Sequence, residues 1–448
     1  MMTIVGAGPA GCLLGILLAR RGMEVDLYER RTDPREGTAE AGRSINLALA
    51  ARGIRALEAA GVMPALLPSL VMMRGRMLHE NGKPDQFNRY GLREHEVIWS
   101  VSRATLTTLL VEAAAALPNL RLHFEQQCMG YRGAGRLVMR DLRETRQYEL
   151  AAERVIGADG AGSTLRHALA ELRSFVVTES RLPHDYKELV IPRRNGEPAL
   201  AMNALHIWPR GGFMLIALPN SDGSFTATLF LDRHGHDAPG FDQLNCMEAI
   251  GEFFAQHFPD VPPLIPDLTD QFMAHPQGLL GTVYCPQWQD NEELLLIGDA
   301  AHAIVPFHGQ GMNCAFEDCR ILDELLATSP ANAFNKFARS RRDDCLAIAQ
   351  MALENYGEMR DAVRDPLFQR QKALSHRLAL AHPDRFVPRY SMVMFRDDIP
   401  YSVALQRGRI QQRILDELTG GTGTAATAPG EAELINSRLP PLRRSQDV

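Results

Sequence analysis

An α/β architecture built on a parallel nucleotide-binding sheet follows from three separated segments of the 448-residue chain. Thr3-Ile-Val-Gly-Ala-Gly-Pro-Ala-Gly11 ends a short apolar run in glycines, and Glu29 ends the next run. Val155-Ile-Gly-Ala-Asp-Gly160 and Leu294-Leu-Leu-Ile-Gly-Asp-Ala-Ala-His302 each carry another run into glycine and acid. Glycine after a buried strand lets backbone approach a nucleotide closely, and a nearby acid can accept its hydroxyls.

Residues 2–5 predict a buried strand, Gly6, Gly8 and Gly11 the turn, Cys12–Arg21 a helix stopped by Gly22, and Val25–Tyr28 a second strand. This strand-helix-strand context is the one a Rossmann-type nucleotide site requires. Leu106–Ala116 predicts a helix, Leu120–Phe124 a strand, and the runs around Gly133-Ala-Gly135 a hairpin. Val155–Gly157 then returns to the sheet. Phe175–Glu179, Tyr186–Ile191, Ala201–Trp208, Phe213–Leu218 and Phe225–Leu231 are strand-like runs separated by Pro, Gly and Asn. They predict a mostly antiparallel substrate domain over 175–290, with a helix at 242–257. Helices are predicted at 315–328, 331–362, 366–381 and 402–418. The nucleotide-binding domain is then 1–174 completed by 291–330, followed by a helical region over 331–418. From 420 to 448 the chain is Gly, Thr, Ala, Pro and charge, which predicts a disordered tail.

The formal net charge of −6 and the lack of a long basic run argue against nucleic-acid binding. Seven cysteines without a C-x-x-C pair argue against a disulfide framework or a zinc site, and fit a reducing cytoplasm. No signal-peptide pattern and no apolar run of transmembrane length is seen.

Gly6, Gly8, Ala10 and Gly11 would bring a helix N-terminus to a pyrophosphate, where backbone N–H groups favour anions. Glu29, with Arg30 beside it, stands where an acid accepts hydrogen bonds from ribose hydroxyls. The later segments decide for FAD. Asp159 belongs to the second, and Asp299 in the third can hold a ribityl hydroxyl. Gly309, Gly311, Met312 and Asn313 can place backbone donors against an isoalloxazine ring. The bland alternative for Asp299 is a helix-capping acid. Arg43 and Arg103 can approach flavin or phosphate; for Arg43 the alternative is a surface arginine. A second glycine pattern, Gly421-Thr-Gly-Thr-Ala-Ala426, follows no strand and is rejected as a cofactor site. Without a second dinucleotide domain, NADPH would dock only transiently. His302 and His308 fall near the flavin, but no metal-ligand constellation is evident.

On these motifs, in this order, the chain resembles the FAD-dependent aromatic hydroxylases, the single-component flavoprotein monooxygenases, over residues 2–345. Gly42-Arg-Ser-Ile-Asn-Leu-Ala-Leu49, Arg74-Gly-Arg-Met-Leu-His79, Tyr186-Lys-Glu-Leu189, Pro306-Phe-His-Gly-Gln-Gly-Met-Asn-Cys314 and Leu353-Glu-Asn-Tyr-Gly-Glu-Met-Arg-Asp361 resemble the branch acting on L-kynurenine, to about residue 415. The resemblance implies hydroxylation to 3-hydroxykynurenine with NADPH and O2, through a hydroperoxyflavin and without a classical acid or base. It implies that Arg76 pairs with the substrate carboxylate, assisted by Tyr90, Asn355 and Tyr390. Phe307 and His308 would lie between substrate and flavin, and Met214 and Phe230 would line the aromatic end. Lacking the eukaryotic members' C-terminal membrane anchor, the chain looks like a soluble bacterial member; a homodimer is left open. The competing readings are a hydroxylase of another aromatic acid, a non-catalytic flavin-binding redox sensor, and an NAD-linked dehydrogenase.

Overall fold

The computed structural model describes residues 1–37, 46–236, 238–360, 366–420 and 428–442. Its first sheet is six-stranded. Met2–Val5 lies at its centre, paired in parallel with Val25–Tyr28 on one side and Val155–Gly157 on the other. Leu120–His123 and Leu294–Leu296 extend it in parallel, and Gln289–Asp290 closes one edge antiparallel. The inner strands 2–5, 25–28, 155–157 and 294–296 are buried along their whole length, so their sequences are mainly apolar runs. The helix Pro9–Arg20 covers one face with Cys12–Ala19 fully buried. Its close approach requires glycine: a Cβ on Gly11 would sit 1.9 Å from the Gly6 carbonyl oxygen, and Gly6 itself has φ +106°.

The second sheet has seven strands, in the order 277–284, 178–191, 225–232, 214–219, 204–209, 75–78 and 86–89. Two features differ from expectation. Thr178–Ile191 is one strand of 14 residues rather than two runs. The apparent break is an irregularity between Arg181 and Asp185 around Pro183, which cannot donate to a ladder. The sheet also takes in Gly75–Leu78 and Gln86–Arg89, from the part of the chain assigned to the nucleotide domain. Gly75–Leu78 pairs in parallel with Ala204–Ile207. Partners this distant leave no local signal.

Alternation on this sheet separates two environments. Phe213, Leu215, Ala217, Leu229 and Leu231 pack under the helices Met247–His257 and Leu268–Ala274. Met214, Ile216, Thr228 and Phe230 face the opposite way, into the cavity between the two sheets.

The C-terminal region comprises Ala333–Arg360, Pro366–Ala381, Arg389–Phe395 and Tyr401–Gly420. The short helix Arg389–Phe395 was not expected. The expectation of a disordered tail is corrected over 428–442. Ala428–Arg438 is a helix, and Ile435 and Leu439 are fully buried against Leu378, Phe386, Ile414 and Leu415. Composition averages the Gly-Thr-Ala stretch with Leu434, Ile435 and Leu439, and so conceals an apolar face that a tertiary partner covers. Among the described residues, no helix is long and apolar enough to cross a membrane.

Replacing Ile435 by Ala should weaken this docking by about 2–4 kcal/mol. Hydrogen exchange over 428–438 should accelerate while the parallel sheet stays protected. Unchanged exchange there would mean another contact holds the helix.

Candidate functional site

A cavity of about 580 Å³ runs from the first glycine turn to the second sheet. That volume is typical of small-molecule sites. Gly6, Gly8, Ala10, Glu29, Arg30, Arg103, Asp159, Asp299, Gly309, Gly311 and Met312 line one part of it. Arg76, Tyr90, Met214, Phe230, Phe307, His308 and Tyr390 line the other. Gly11, Asn313 and Asn355 are not among the lining residues. Arg43 lies outside the described residues.

At the glycine end, an added Cβ on Gly8, Gly160 or Gly162 would meet no atom within 4 Å. Gly8 is the N-cap of Pro9–Arg20, so open space stands at a helix N-terminus, as an anionic pyrophosphate requires. Glu29 accepts hydrogen bonds from the backbone N–H groups of Ala7 (2.8 Å) and Arg31 (3.0 Å). These bonds fix the carboxylate beside the turn and leave lone pairs for hydroxyl donors. Asp159 is committed differently. It accepts from the Ser163 hydroxyl (2.6 Å) and the Leu165 N–H (3.2 Å), at the start of helix Thr164–Arg173. Burial pushes its carboxyl above the usual range. Asp299, by contrast, is exposed where it lines the cavity and accepts no hydrogen bond from the described residues. These donors, acceptors and spaces fit FAD.

Two amides expected at the ligands instead hold the walls. Asn313 Nδ2 donates to the carbonyls of Ala48 (2.8 Å) and Gly309 (2.9 Å), while its Oδ1 accepts from Ala50 N–H (2.9 Å). It thereby pins the turn at Gly309, where φ is +65°, to the strand Asn46–Leu49. Asn355 Nδ2 donates to the Phe307 carbonyl at 2.5 Å and sets that loop on the helix Ala333–Arg360.

At the other end, Arg76 is half-buried on Gly75–Leu78. Its guanidinium carbon lies 5.0 Å from the Tyr390 ring centroid and 5.6 Å from that of Tyr90. Its Nε is shielded from solvent and has no hydrogen-bond partner. Burial pushes both phenols up, so they remain neutral donors. The buried His308 ring stacks on Tyr390 at 5.5 Å, and burial lowers its pKa to about 3, leaving it uncharged. His308 Nδ1 is also without a partner. The Arg76 guanidinium is hydrogen-bonded to the Tyr390 and Tyr90 phenols but pairs with no carboxylate among the described residues, so an incoming anion is the counter-charge it lacks. Beyond it, Met214 and Phe230 pair across adjacent strands, and Phe230 lies 5.0 Å from Phe307, forming an apolar slot. Ile216, Thr228 and Tyr186 also line the cavity and were not nominated. The period-two alternation through Met214 and Phe230 carried the signal for Ile216 and Thr228.

His302 is buried behind the cavity rather than in it. Its Nε2–H donates to Asp318 at 2.7 Å, and the Cys314 and Cys345 sulfurs complete a group whose ligand atoms lie within 4.8 Å of one another. The sequence, in which no metal constellation was evident, did not foreshadow this grouping. Arg341 occupies the same space, bound to Asp318 Oδ1 at 2.8 Å, so Asp318 is already neutralised without a metal ion. Burial lowers the pKa of His302, but the Asp318 carboxylate more than offsets this and holds it at about 9.

The protein family described as FAD binding domain matches residues 1–355. The kynurenine 3-monooxygenase of Xanthomonas euvesicatoria pv. vesicatoria (strain 85-10) is 48% identical over 98% of this chain and 97% of its own length. That of Xanthomonas campestris pv. campestris (strain 8004) is 47% identical with the same coverage. Among solved structures, the tetrameric form of 2-methyl-3-hydroxypyridine-5-carboxylic acid oxygenase superposes with TM-score 0.66 at 20% identity, covering 82% of this chain and 94% of that one. P. aeruginosa PqsL in complex with 2-aminobenzoylacetate gives TM-score 0.64 at 18% identity, covering 80% and 96%. At these identities the structures show the shared fold.

Gly8→Ala should leave apo-protein stability within about 0.5 kcal/mol, because its Cβ enters open space at extended φ and ψ. It should weaken FAD binding by tenfold or more, about 1.4 kcal/mol, measured by fluorescence titration. Equal affinity would place the pyrophosphate elsewhere. The His302–Asp318 pair predicts a pH effect. His302 has its folded pKa raised above the unfolded 6.5, so its contribution is whole below pH 6.5 and lost as pH rises through about 9. The limit is on the order of 3 kcal/mol. Urea midpoints should therefore fall across that window in the parent protein and stay flatter in His302→Gln. Parallel curves would remove His302 as the source.

Proposed function

Because the chain belongs to the kynurenine 3-monooxygenase family of FAD-binding proteins, we propose that its cavity binds FAD at the glycine end and L-kynurenine at the Arg76 end, for NADPH- and O2-dependent hydroxylation to 3-hydroxykynurenine. It is a flavoprotein monooxygenase. One observation carries the substrate assignment: a guanidinium with an unpartnered, solvent-shielded Nε and no carboxylate beside it among the described residues shares one cavity with an apolar aromatic slot. L-Kynurenine has the matching ends, a carboxylate on an amino-acid side chain and an aminophenyl ring.

FAD, when bound, supplies the oxygen-transfer chemistry. The protein's own residues bind, orient and keep water out. Gly8 and the N-terminus of Pro9–Arg20 would hold the pyrophosphate, Glu29 the ribose, and Asp299 the ribityl chain. Gly309, Gly311 and Met312 would meet the ring system. Arg76 would grip the substrate carboxylate, with Tyr90 and Tyr390 as neutral donors that do not compete for its charge. Met214, Phe230 and Phe307 would clamp the ring and exclude water, which protects a reactive oxygen donor. Asn355 would act through Phe307, by holding its carbonyl, and Asn313 through Gly309. Arg30 and Arg103, both exposed, are available to phosphate.

The purified protein should consume NADPH faster with L-kynurenine and yield a product heavier by one oxygen. Stimulation without that product would make kynurenine an effector. Arg76→Ala should raise the KM for kynurenine roughly ten- to hundredfold, the worth of a charged hydrogen-bonded contact of about 1.5–3 kcal/mol, with flavin content unchanged. Flavin loss with unaltered KM would move Arg76 to the cofactor.

A further inference from the structure

We propose that Cys314 and Cys345 form a reversible disulfide that loosens the glycine turn at Gly309–Met312 and so switches flavin retention off under peroxide. The two sulfurs are 3.7 Å apart, both buried, on the packed helices Gly311–Thr328 and Ala333–Arg360. Closing to a bond of about 2.05 Å needs roughly 1.6 Å of movement. Cys314 lies in the first turn of its helix, two residues after Met312, which lines the cavity, and its N–H donates to the Gln310 carbonyl at 2.8 Å. Movement of Cys314 toward Cys345 is therefore transmitted directly to the turn.

Two features distinguish this pair from inert core thiols. Arg341 Nη2 lies 3.5 Å from the Cys314 sulfur. The hydrogen bond from Cys345, with the His302 and Arg341 cations, holds the Cys314 thiol below the usual range despite burial. Cys345 also lines a separate cavity of about 200 Å³, beside Cys285, Trp288 and Val283, which has room for a molecule the size of hydrogen peroxide.

The chemistry balances with hydrogen peroxide as oxidant. Burial and the Cys314 sulfur keep the proton on Cys345, and the Cys314 thiolate takes it across their 3.7 Å contact as the Cys345 sulfur attacks one peroxide oxygen. The O–O bond breaks, giving Cys345 sulfenic acid and hydroxide. The Cys314 sulfur then attacks the Cys345 sulfur, its proton leaves with the expelled oxygen as water, and the S–S bond forms. Both sulfurs are oxidised and peroxide is reduced; dithiothreitol reverses the step. The cross-link does not depend on the FAD assignment, whereas its effect on flavin retention rests on it.

The test is graded peroxide treatment of the full-length holoprotein carrying Cys246→Ser, which removes the exposed thiol. Intact mass, peptide mapping with fragmentation to separate Cys314 from Cys319, bound flavin and NADPH consumption would be read together. The expected result is a mass loss of about 2 Da, a Cys314–Cys345 cross-link, and loss of flavin and activity, all restored by dithiothreitol. Adding Cys345→Ser should leave untreated activity in place and abolish both cross-link and sensitivity. Absence of the cross-link, or one to Cys285 instead, overturns the proposal. A cross-link with flavin and activity unchanged overturns the switch. Equal sensitivity of the Cys345→Ser protein overturns the assignment to this pair.

Discussion

The buried carboxylate of Asp318 is the constraint on which the site depends. It accepts hydrogen bonds from Gly298 N–H (3.1 Å), His302 Nε2 (2.7 Å) and Arg341 Nε (2.8 Å). One side chain thus joins the turn that carries Asp299, the helix that follows the Gly309–Gly311 turn, and the long helix that bears Asn355. Burial would push its carboxyl up, but the two cations more than offset that and hold it low. Removing one partner from such a group costs roughly 3–5 kcal/mol, because the remaining charges stay buried and unmatched. Arg341 continues the network to Glu317 at 2.8 Å, and Glu317 reaches Arg52 on the helix Ala51–Ala59. The elements around the glycine end are therefore fixed to one another by charge as well as by packing.

The cavity in front of this network is built on the opposite principle. Its Arg76 end sets that guanidinium beside two neutral phenols, an uncharged imidazole and apolar rings. A guanidinium that no carboxylate of the described residues pairs attracts an incoming carboxylate more strongly than one among acids would. The rings beyond it offer area and shape but no competing hydrogen bonds. Asn313 and Asn355 do their work one step back, spending their donors on backbone carbonyls so that Gly309 and Phe307 keep their positions. The division gives a rigid wall and an unsatisfied interior, the combination expected of a binding site.

Much of this was legible from the chain. Short apolar runs ending in glycine and acid identified the strands of the parallel sheet, because strands covered on both faces tolerate little else. The motifs carrying Arg76, Tyr90, Phe307 and His308 identified one cavity before any contact was known. The runs Phe213–Leu218 and Phe225–Leu231 were legible as strands, while the alternation that sets Ile216 and Thr228 on the cavity face beside Met214 and Phe230 went unused.

What the sequence by itself determined, then, is whatever depends on neighbours a few residues away: the glycine turn, the strand-helix-strand unit, the faces of strands, and motif chemistry. The tertiary structure alone decided four other things. Gly75–Leu78 joined a sheet through partners more than a hundred residues distant. Ile435 found its partners on helices Pro366–Ala381 and Tyr401–Gly420. Asn355 turned to a backbone carbonyl rather than the cavity, and Cys314 and Cys345 met His302 across two helices. In each case the energy comes from contacts between segments far apart in sequence. Composition and periodicity register that a residue is apolar or polar, and not which distant atom will satisfy it.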